Sequence, residues 1–571
     1  MVCKVVPTSE RSHRGADPRS EEYSHTQEVV DYETALDATG YGHFSRLALG
    51  AAALAFFTTG VQNCVMSYAL PAARCDLQLD TYQSGLIIMA FMCGGVASAF
   101  FWGVAGDVVG RRNVLAASLL LDSAVLMMQS FVTDYRLLLA ARSINGFLIG
   151  APSTLVFSYL SDVVGRRRRQ LYLSVTGMSF VAAWLLLPAL AWLVIPIKSS
   201  HSTSLPIYSW RLLLVLSSVP GLVSGAWMLF LPESPRLLVD TGRGDQAVAV
   251  FRMMHRVNGG REEYKIKKVL PDCALPKSLG TSQGRTRGLL VGVLRDLRAL
   301  VSREYVGKSS LVMFVFFANM AAGFGLNLWI PELLLRMQGK ACSSATSQLL
   351  VNPPGSHLMT HLSGHLGNSS GYSQARVASP PCNEDMDEDV FTSGLIVGAC
   401  CVLGNALCSL LCSRGGGLGV RRAAAACAAA CAAACLCLAA CVCACAASSQ
   451  VAVAAAAALN AASLNGNVLL IRLLLHALPA KLSGLGVCWG AWWGRAGGVA
   501  SNLAVGALLD YSCPAPFVAV AACLTISIVA IVMIKLDKSS EPATDHAEDE
   551  LDLDSSKDKT VTLDRYISTH M

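Results

Sequence analysis

Charged side chains are scarce in this chain, so their types and spacing carry information. In Gly103-Val-Ala-Gly-Asp107-Val-Val-Gly110-Arg111-Arg112, one acid and two guanidinium groups sit among glycines that permit a tight turn and close helix approach. Tyr159-Leu-Ser-Asp162 runs into Arg166 to Arg169, and Pro232-Glu233-Ser234-Pro235-Arg236 sets an acid and a base within five residues. These groups can pair as charge clusters at helix ends, or the bases can simply fix topology. Arg142-x-x-x-Gly146-x-x-x-Gly150 places an arginine and two glycines on one helix face. Asp122 lies alone in the apolar run Leu119-Leu-Leu-Asp122-Ser-Ala-Val, where a carboxylate can bind a proton or cation or join helices by hydrogen bonds. Arg495 can attract an anion or brace helices.

Other chemistry finds little footing. There is no phosphate-cradling G-x-x-x-x-G-K-[ST], no paired His/Cys metal spacing and no nucleophile elbow with a base. An ATP-driven pump and an enzyme are therefore not expected, and neither a cofactor nor a metal is. Of the 21 cysteines, seven fall between Ala423 and Ala447, a stretch of Ala, Cys, Leu and Val alone. Cys427, Cys431 and Cys435 share a helix face, but no His, Asp or Glu accompanies them, so close helix packing is the expected role.

The elements that must position these residues follow from composition. The chain has 571 residues, 53% hydrophobic and only 15% charged, with mean hydropathy +0.48. That composition implies an all-α membrane protein and excludes a disordered, fibrous or ordinary soluble chain. Continuous rather than alternating apolar runs disfavour a membrane barrel. Twelve transmembrane helices are expected, near 47–70, 84–104, 114–132, 137–160, 171–196, 212–231, 309–331, 391–413, 423–447, 451–475, 485–508 and 515–534. With both termini cytoplasmic, 35 of the 45 lysines and arginines fall inside, 7 outside and three within spans, as the positive-inside rule requires. The net charge of +6 is thus topological and does not point to nucleic acid.

The expected organisation is a cytoplasmic N-terminal segment, 1–46, and an N-terminal six-helix bundle, 47–232. A cytoplasmic linker, 233–308, leads to a C-terminal six-helix bundle, 309–534, and an acidic disordered cytoplasmic tail, 535–571. Residues 1–46 hold no apolar run, so no cleaved signal is expected. The outer loop 338–390 carries the sequon Asn368-Ser369-Ser370, making Asn368 the glycosylation candidate, together with Cys342 and Cys382. Cys75 and Cys513 could form a second outer disulfide. The terminal Ser568-Thr569-His570-Met571 loosely fits a peptide bound through its carboxylate, which keeps a cytoplasmic tail-binding protein among the candidate partners.

The G-x-x-x-D-x-x-G-R-R turn resembles the signature of the major facilitator superfamily. Its echo Ser413-Arg-Gly-Gly-Gly-Leu-Gly-Val-Arg421-Arg422, six spans later and without the acid, fits two halves built from a parallel repeat. The P-E-S-P-R stretch resembles that of sugar-porter-type members. Tyr68-Ala-Leu-Pro71, Trp102-Gly-Val-Ala-Gly-Asp107, Phe157-Ser-Tyr159, Ser209-Trp210-Arg211 and Gly325-Leu-Asn-Leu-Trp329-Ile-Pro331-Glu332 are similar to the synaptic vesicle glycoprotein 2 and related-protein branch. The likeness covers spans 1–8 and weakens through the alanine-rich spans 9 and 10.

That resemblance implies a transporter of a small organic solute working by alternating access. It implies a cytoplasmic gate of Asp107, Arg111, Arg112, Asp162, Arg169, Glu233 and Arg236, pairing across the halves when that side closes. Trp192 and Trp329 resemble tryptophans lining the central cavity, where Gln62, Asn63 and Asn327 could add hydrogen bonds and Arg495 a charge; all six are substrate-cavity candidates. Asp122 is the candidate for proton or cation coupling, because span 1 carries Thr59-Gly60-Val61-Gln62-Asn63 where some relatives have acids. Val108 also replaces the base that many members place after the turn's acid. The expected setting is the plasma membrane or a secretory or synaptic vesicle membrane. The rival expectation is a non-transporting, transporter-like membrane protein that binds partners or serves vesicle trafficking.

Overall fold

The computed structural model describes residues 29–74, 76–98, 101–196, 209–261, 264–270, 298, 302, 305–330, 332–333, 388–412, 417–444, 449–477, 480–512 and 514–534. Helices dominate because a long apolar run shielded from water must satisfy its own backbone. The first half contains α2 (His43–Ala73), α3 (Thr81–Ser98), α4 (Phe101–Val109), α5 (Arg111–Gln129), α6 (Tyr135–Val163), α7 (Arg166–Val194) and α8 (Ser209–Phe230). A short β1 (Val29–Asp31) and α1 (Tyr32–Asp37) precede them; α9 (Pro235–Asp240), α10 (Gly244–Val257) and β2 (Lys268–Leu270) follow. The second half contains α11 (Val306–Met320), α12 (Glu388–Cys412), α13 (Gly417–Ala444), α14 (Ser449–Ala477), α15 (Ala480–Tyr511) and α16 (Ala515–Met533).

Nine helices among the described residues are long and apolar enough to cross a membrane. The pair Tyr82–Ser98 and Phe101–Val109, bent by 51°, would make a tenth; it replaces the single span expected over 84–104. Two other expected spans form helices outside those nine. Helix α5 carries Arg111, Arg112 and Asp122 within 19 residues, and α15 mixes Arg495 with many glycines. The expected span 309–331 also changes character midway, passing from α11 into a π-turn at Ala321–Leu326 and a 3-10 turn at Asn327–Trp329. Gly323 and Gly325 permit this distortion to pack closely, since a Cβ there would meet Ser463 Oγ at 2.1 Å and Ser501 Oγ at 2.0 Å.

Packing sorts largely by half. Helix α2 lies against α6, α7 and α8, with α3 on α6 and α5 on α8; in the second half α11 packs on α15, α12 on α14, and α13 on α14 and α16. Cys431 and Cys435 are buried in the α13 face, with Cys431 Sγ 3.7 Å from the Leu459 carbonyl of α14. The halves meet along α3 with α15 and α7 with α12. Gly398 of α12 allows a close approach, its virtual Cβ falling 2.5 Å from the Trp184 carbonyl.

The segments 1–46 and 233–308, expected as separate polar stretches, contribute to one folded cap. Strand β1 pairs in parallel with β2, Val29 opposite Lys268 and Asp31 opposite Leu270. Tyr32, Leu36, Phe251, Met254, Tyr264 and Val269 form an apolar cluster continuous with buried residues of α2, α5 and α6. Asn258 ties the turn after α1 down, donating to the Thr39 and Gly40 carbonyls and accepting from Ser45 N–H. Asn368, Cys75, Cys342, Cys382, Cys513 and the tail from 535 lie outside the described residues.

Candidate functional site

The charge motifs meet at the capped end of the first half. Gly110 turns the chain between α4 and α5 with φ +117°, and a Cβ on it would lie 2.3 Å from Glu233 Oε2; glycine is required on both counts. Arg111 then donates to Asp107 Oδ1 at 3.3 Å and forms a close ion pair with Asp162 Oδ2. Ser234 Oγ donates to the same Asp162 oxygen at 2.5 Å. Glu233 Oε1 accepts the backbone N–H of Arg112 at 3.0 Å and of Ser234 at 2.9 Å. The Arg112 guanidinium donates to the Met228 carbonyl at 3.2 Å and to that of Leu229, fastening α5 to the end of α8.

Arg169 and Arg236 look instead to the segment before α2. Arg169 Nη2 donates to Glu33 Oε2 at 2.7 Å, and the Arg236 guanidinium lies 5.2 Å from the centre of the Tyr32 ring. Tyr32 Oη donates to the Asp162 carbonyl at 2.6 Å. The seven residues expected at the gate thus occupy one neighbourhood, joined by Tyr32, Glu33 and Ser234. Every partner named for them comes from residues 32–236, so these pairs bind the end of the first half to itself rather than to the second half. Tyr32 and Glu33 were missed at the sequence level; the usable signal is the apolar spacing Tyr32, Ala35, Leu36, which marks a helix face inside an otherwise polar segment.

A second polar cluster is buried within the first half. Asp122 is 0% exposed; its Oδ2 accepts from Gln62 Nε2 and its Oδ1 from Asn145 Nδ2, each at 2.6 Å. Arg142 donates to Gln62 Oε1 and to the Gln62 carbonyl, both at 3.1 Å, and lies 4.4 Å from the centre of the Phe91 ring. Gln129 donates to Asn145 Oδ1. Gln62 therefore connects acid and base by offering its amide N–H to one and its carbonyl to the other. Three helices, α2, α5 and α6, share the network.

Among the described residues, two cavities lie where the halves meet. The first is lined by Cys64, Ser67 and Tyr68 of α2, Trp184 of α7, and Gly394 and Asn460 from the second half, among others. None of the described residues that line it is charged. Ser67 Oγ, Trp184 Nε1 and Asn460 Oδ1 are buried without a hydrogen-bond partner among the described residues, an arrangement that a ligand with both donor and acceptor groups would satisfy. The second is lined by Ser67, Ser84, Leu328 and Trp329, with Arg74 and Glu332, among others. Ser67 borders both.

Of the six residues expected to line a cavity, Trp329 lines the second, where its Nε1 donates to Asn502 Oδ1 at 3.1 Å. Gln62 is in the Asp122 network, and Asn63 donates to the Thr59 carbonyl of its own helix at 2.7 Å. Trp192 is 37% exposed and borders neither cavity. Arg495 donates to the Gly95 carbonyl, bridging α15 to α3. Asn327 starts the 3-10 turn; its side chain is outside the described residues.

The family model described as Major Facilitator Superfamily matches residues 49–359. The chain belongs to that superfamily. It is 29% identical over 362 residues to synaptic vesicle glycoprotein 2B of Homo sapiens, a match covering 60% of this chain and 53% of that one. The corresponding figures for synaptic vesicle glycoprotein 2C of Mus musculus are 25% over 351 residues, 56% and 48%. The chain spans about half the length of the curated relatives it matches. Among solved structures, the xylose transporter of E. coli in its inward-open conformation aligns with TM-score 0.59 and 12% identity, covering 87% of this chain and 98% of that one. Its partially occluded inward-open form aligns with TM-score 0.57 and 13% identity over 85% and 98%. The structural likeness is one of fold, and it fits this facilitator-superfamily chain as an all-α membrane protein.

Proposed function

We propose that this chain is a secondary transporter that moves a small, uncharged organic solute across a membrane by alternating access. On this reading, six helices of each half form a bundle, twelve spans in all, with 47–232 and 309–534 as the two bundles. Both termini and the cap are cytoplasmic, and 338–390 is the outer loop. One observation carries the proposal: a cavity between the halves whose described lining residues are all uncharged, three of which, Ser67, Trp184 and Asn460, carry buried polar atoms with unmet hydrogen-bonding capacity. A solute bound there touches both halves, so rocking one against the other changes which side it faces. The cluster around Asp107, Arg111, Arg112, Asp162, Arg169, Glu233 and Arg236 would keep the inner end of the first bundle rigid during that motion. The Asp122–Gln62–Arg142 network is the candidate for coupling to a proton or cation, since it holds an acid away from water in contact with three helices.

A second reading has its own support. The curated relatives are named as synaptic vesicle glycoproteins, and a transporter-like protein of a vesicle or plasma membrane could bind partners without moving solute. Purified protein in proteoliposomes, screened against a broad set of small organic solutes with and without a proton gradient, separates the two. Flux that depends on a solute gradient supports transport; folded protein giving none across the set favours the partner-binding reading.

A further inference from the structure

Among the ion pairs of the described residues, Arg74 with Glu332 joins the two halves. Arg74 caps the end of α2, and Glu332 follows the 3-10 turn that ends the distorted seventh span. Arg74 Nη1 lies 2.9 Å from Glu332 Oε1, with side-chain exposures of 34% and 14%. The guanidinium is also anchored locally, its Nε donating to the Leu79 carbonyl at 3.4 Å. The pair borders the second cavity, which through Ser67 is contiguous with the lining of the first. By contrast, Arg211 Nη2 and Asp76 Oδ2, also 2.9 Å apart near this end, both belong to the first half. So do the pairs of Arg111 with Asp107 and Asp162, and of Arg169 with Glu33.

Rigid-body rocking leaves a pair within one half intact and must break a pair between halves. We propose that Arg74 and Glu332 form the outer latch, an ion pair that holds the outer ends of spans 1 and 7 together and parts before solute can enter from that side. This rests on the alternating-access reading above. The partly buried position lowers the local dielectric and so strengthens the attraction between the two charges, against the hydration that each has surrendered. Its exposure to the outer side leaves water close enough to re-solvate both groups when they separate. The asymmetry follows: described charge pairs at the inner end knit one half, while this outer pair spans both.

The test uses the full chain in lipid nanodiscs and amide hydrogen–deuterium exchange of peptides covering 66–80 and 326–333. Glu332→Gln and Arg74→Gln are each expected to raise exchange severalfold in both peptides. The charge swap Arg74→Glu with Glu332→Arg returns it toward the wild-type rate. Asp76→Asn, which breaks a pair within one half, leaves 326–333 unchanged. The latch is overturned if both single neutralisations, in protein that melts and elutes as wild type does, leave both peptides at the wild-type rate, or if the swap is no closer to wild type than the singles. Should one single variant fail to fold, the other with the swap decides. Solute flux measured on the same preparations keeps the two ideas apart: wild-type flux without an exchange response overturns the latch alone, whereas an exchange response without wild-type flux overturns the transport reading, and with it the admission of solute by the latch, and leaves only an ion pair that holds the halves together.

Discussion

The phenol of Tyr32 donates to the main-chain carbonyl of Asp162 at 2.6 Å, across 130 residues of sequence. A residue that precedes the first long helix thereby closes the C-terminal end of α6, while the Asp162 carboxylate takes Arg111 and Ser234. Burial first, and the nearby Asp162 charge second, hold the Tyr32 hydroxyl well above its usual pKa, so it remains a donor across the whole physiological range. Tyr32→Phe should cost about 1 kcal/mol through the lost hydrogen bond, and Tyr32→Ala about 3–5 kcal/mol through the cavity left beside Phe251. Thermal melts of the detergent-solubilised protein check both, and limited proteolysis should find the 29–42 segment released in the alanine variant.

Gly110 is the most demanding backbone position in the charge cluster. Gly110→Ala places a Cβ at φ +117° and 2.3 Å from Glu233 Oε2, and should destabilise the protein by about 1–3 kcal/mol. Gly242, at φ +78° with open space around it, is the control: alanine there should cost only about 1 kcal/mol. Equal melting shifts for the two would contradict the Glu233 contact.

Removing Arg142 should cost about 3 kcal/mol, because its replacement by leucine strips both donors from Gln62 and leaves the buried Asp122 assembly without its base. Asp122→Asn puts an amide where Gln62 and Asn145 both donate. The Arg142→Leu/Asp122→Asn double variant should lose less than the sum of the singles. Strict additivity in melting or denaturant curves would show that Gln62 does not connect the two. In an active transporter, a pH profile of flux left unchanged by Asp122→Asn would remove this acid from coupling.

The interface cavity makes a narrower claim on Trp184. Trp184→Phe keeps an aromatic ring and deletes the indole N–H, and should raise KM for a transported solute about 5- to 10-fold, the worth of one hydrogen bond. Trp192→Phe should leave KM unchanged, since that side chain borders neither cavity. The reverse ranking would move the solute site towards the C-terminal end of α7.

Asn368→Gln tests the orientation. If 338–390 faces the outer or lumenal side, glycosidase should increase the electrophoretic mobility of the wild-type protein made in a eukaryotic cell and leave that of the variant unchanged. A wild-type protein insensitive to glycosidase, or a variant still sensitive, would contradict that placement of the sequon.

What the sequence disclosed divides along physical lines. Apolar runs revealed the helices, because hydrophobicity over some twenty residues is a local property. The motif turns revealed Asp107, Arg111, Asp162 and Glu233 as a charge cluster, because their glycines and prolines mark helix ends. Partners were not legible. Gln62 was expected in a cavity and instead meets Asp122 and Arg142, 60 and 80 residues away; a polar side chain on a helix gives no hint of which neighbour it faces. Ser67 and Asn460 had no motif to draw attention to them, and become visible only when two halves enclose their unmatched atoms. The cap escaped notice because its apolar face is split between 29–42 and 235–270, each too short to signal a core alone.

That split has a consequence for biosynthesis. Val29 cannot find Lys268 until some 240 residues more have been made, which at roughly 5–20 residues per second takes about 12–50 s. By then every helix of the first half has left the ribosome, and none of the second has been completed. Closure of the two-stranded sheet therefore falls between synthesis of the first half and synthesis of the second, where it can seal a correctly inserted first half before the next helix arrives. If the first half makes the six spans proposed above, a nascent chain that fails to insert one of them would leave its two strands on opposite sides of the bilayer and be unable to make that seal.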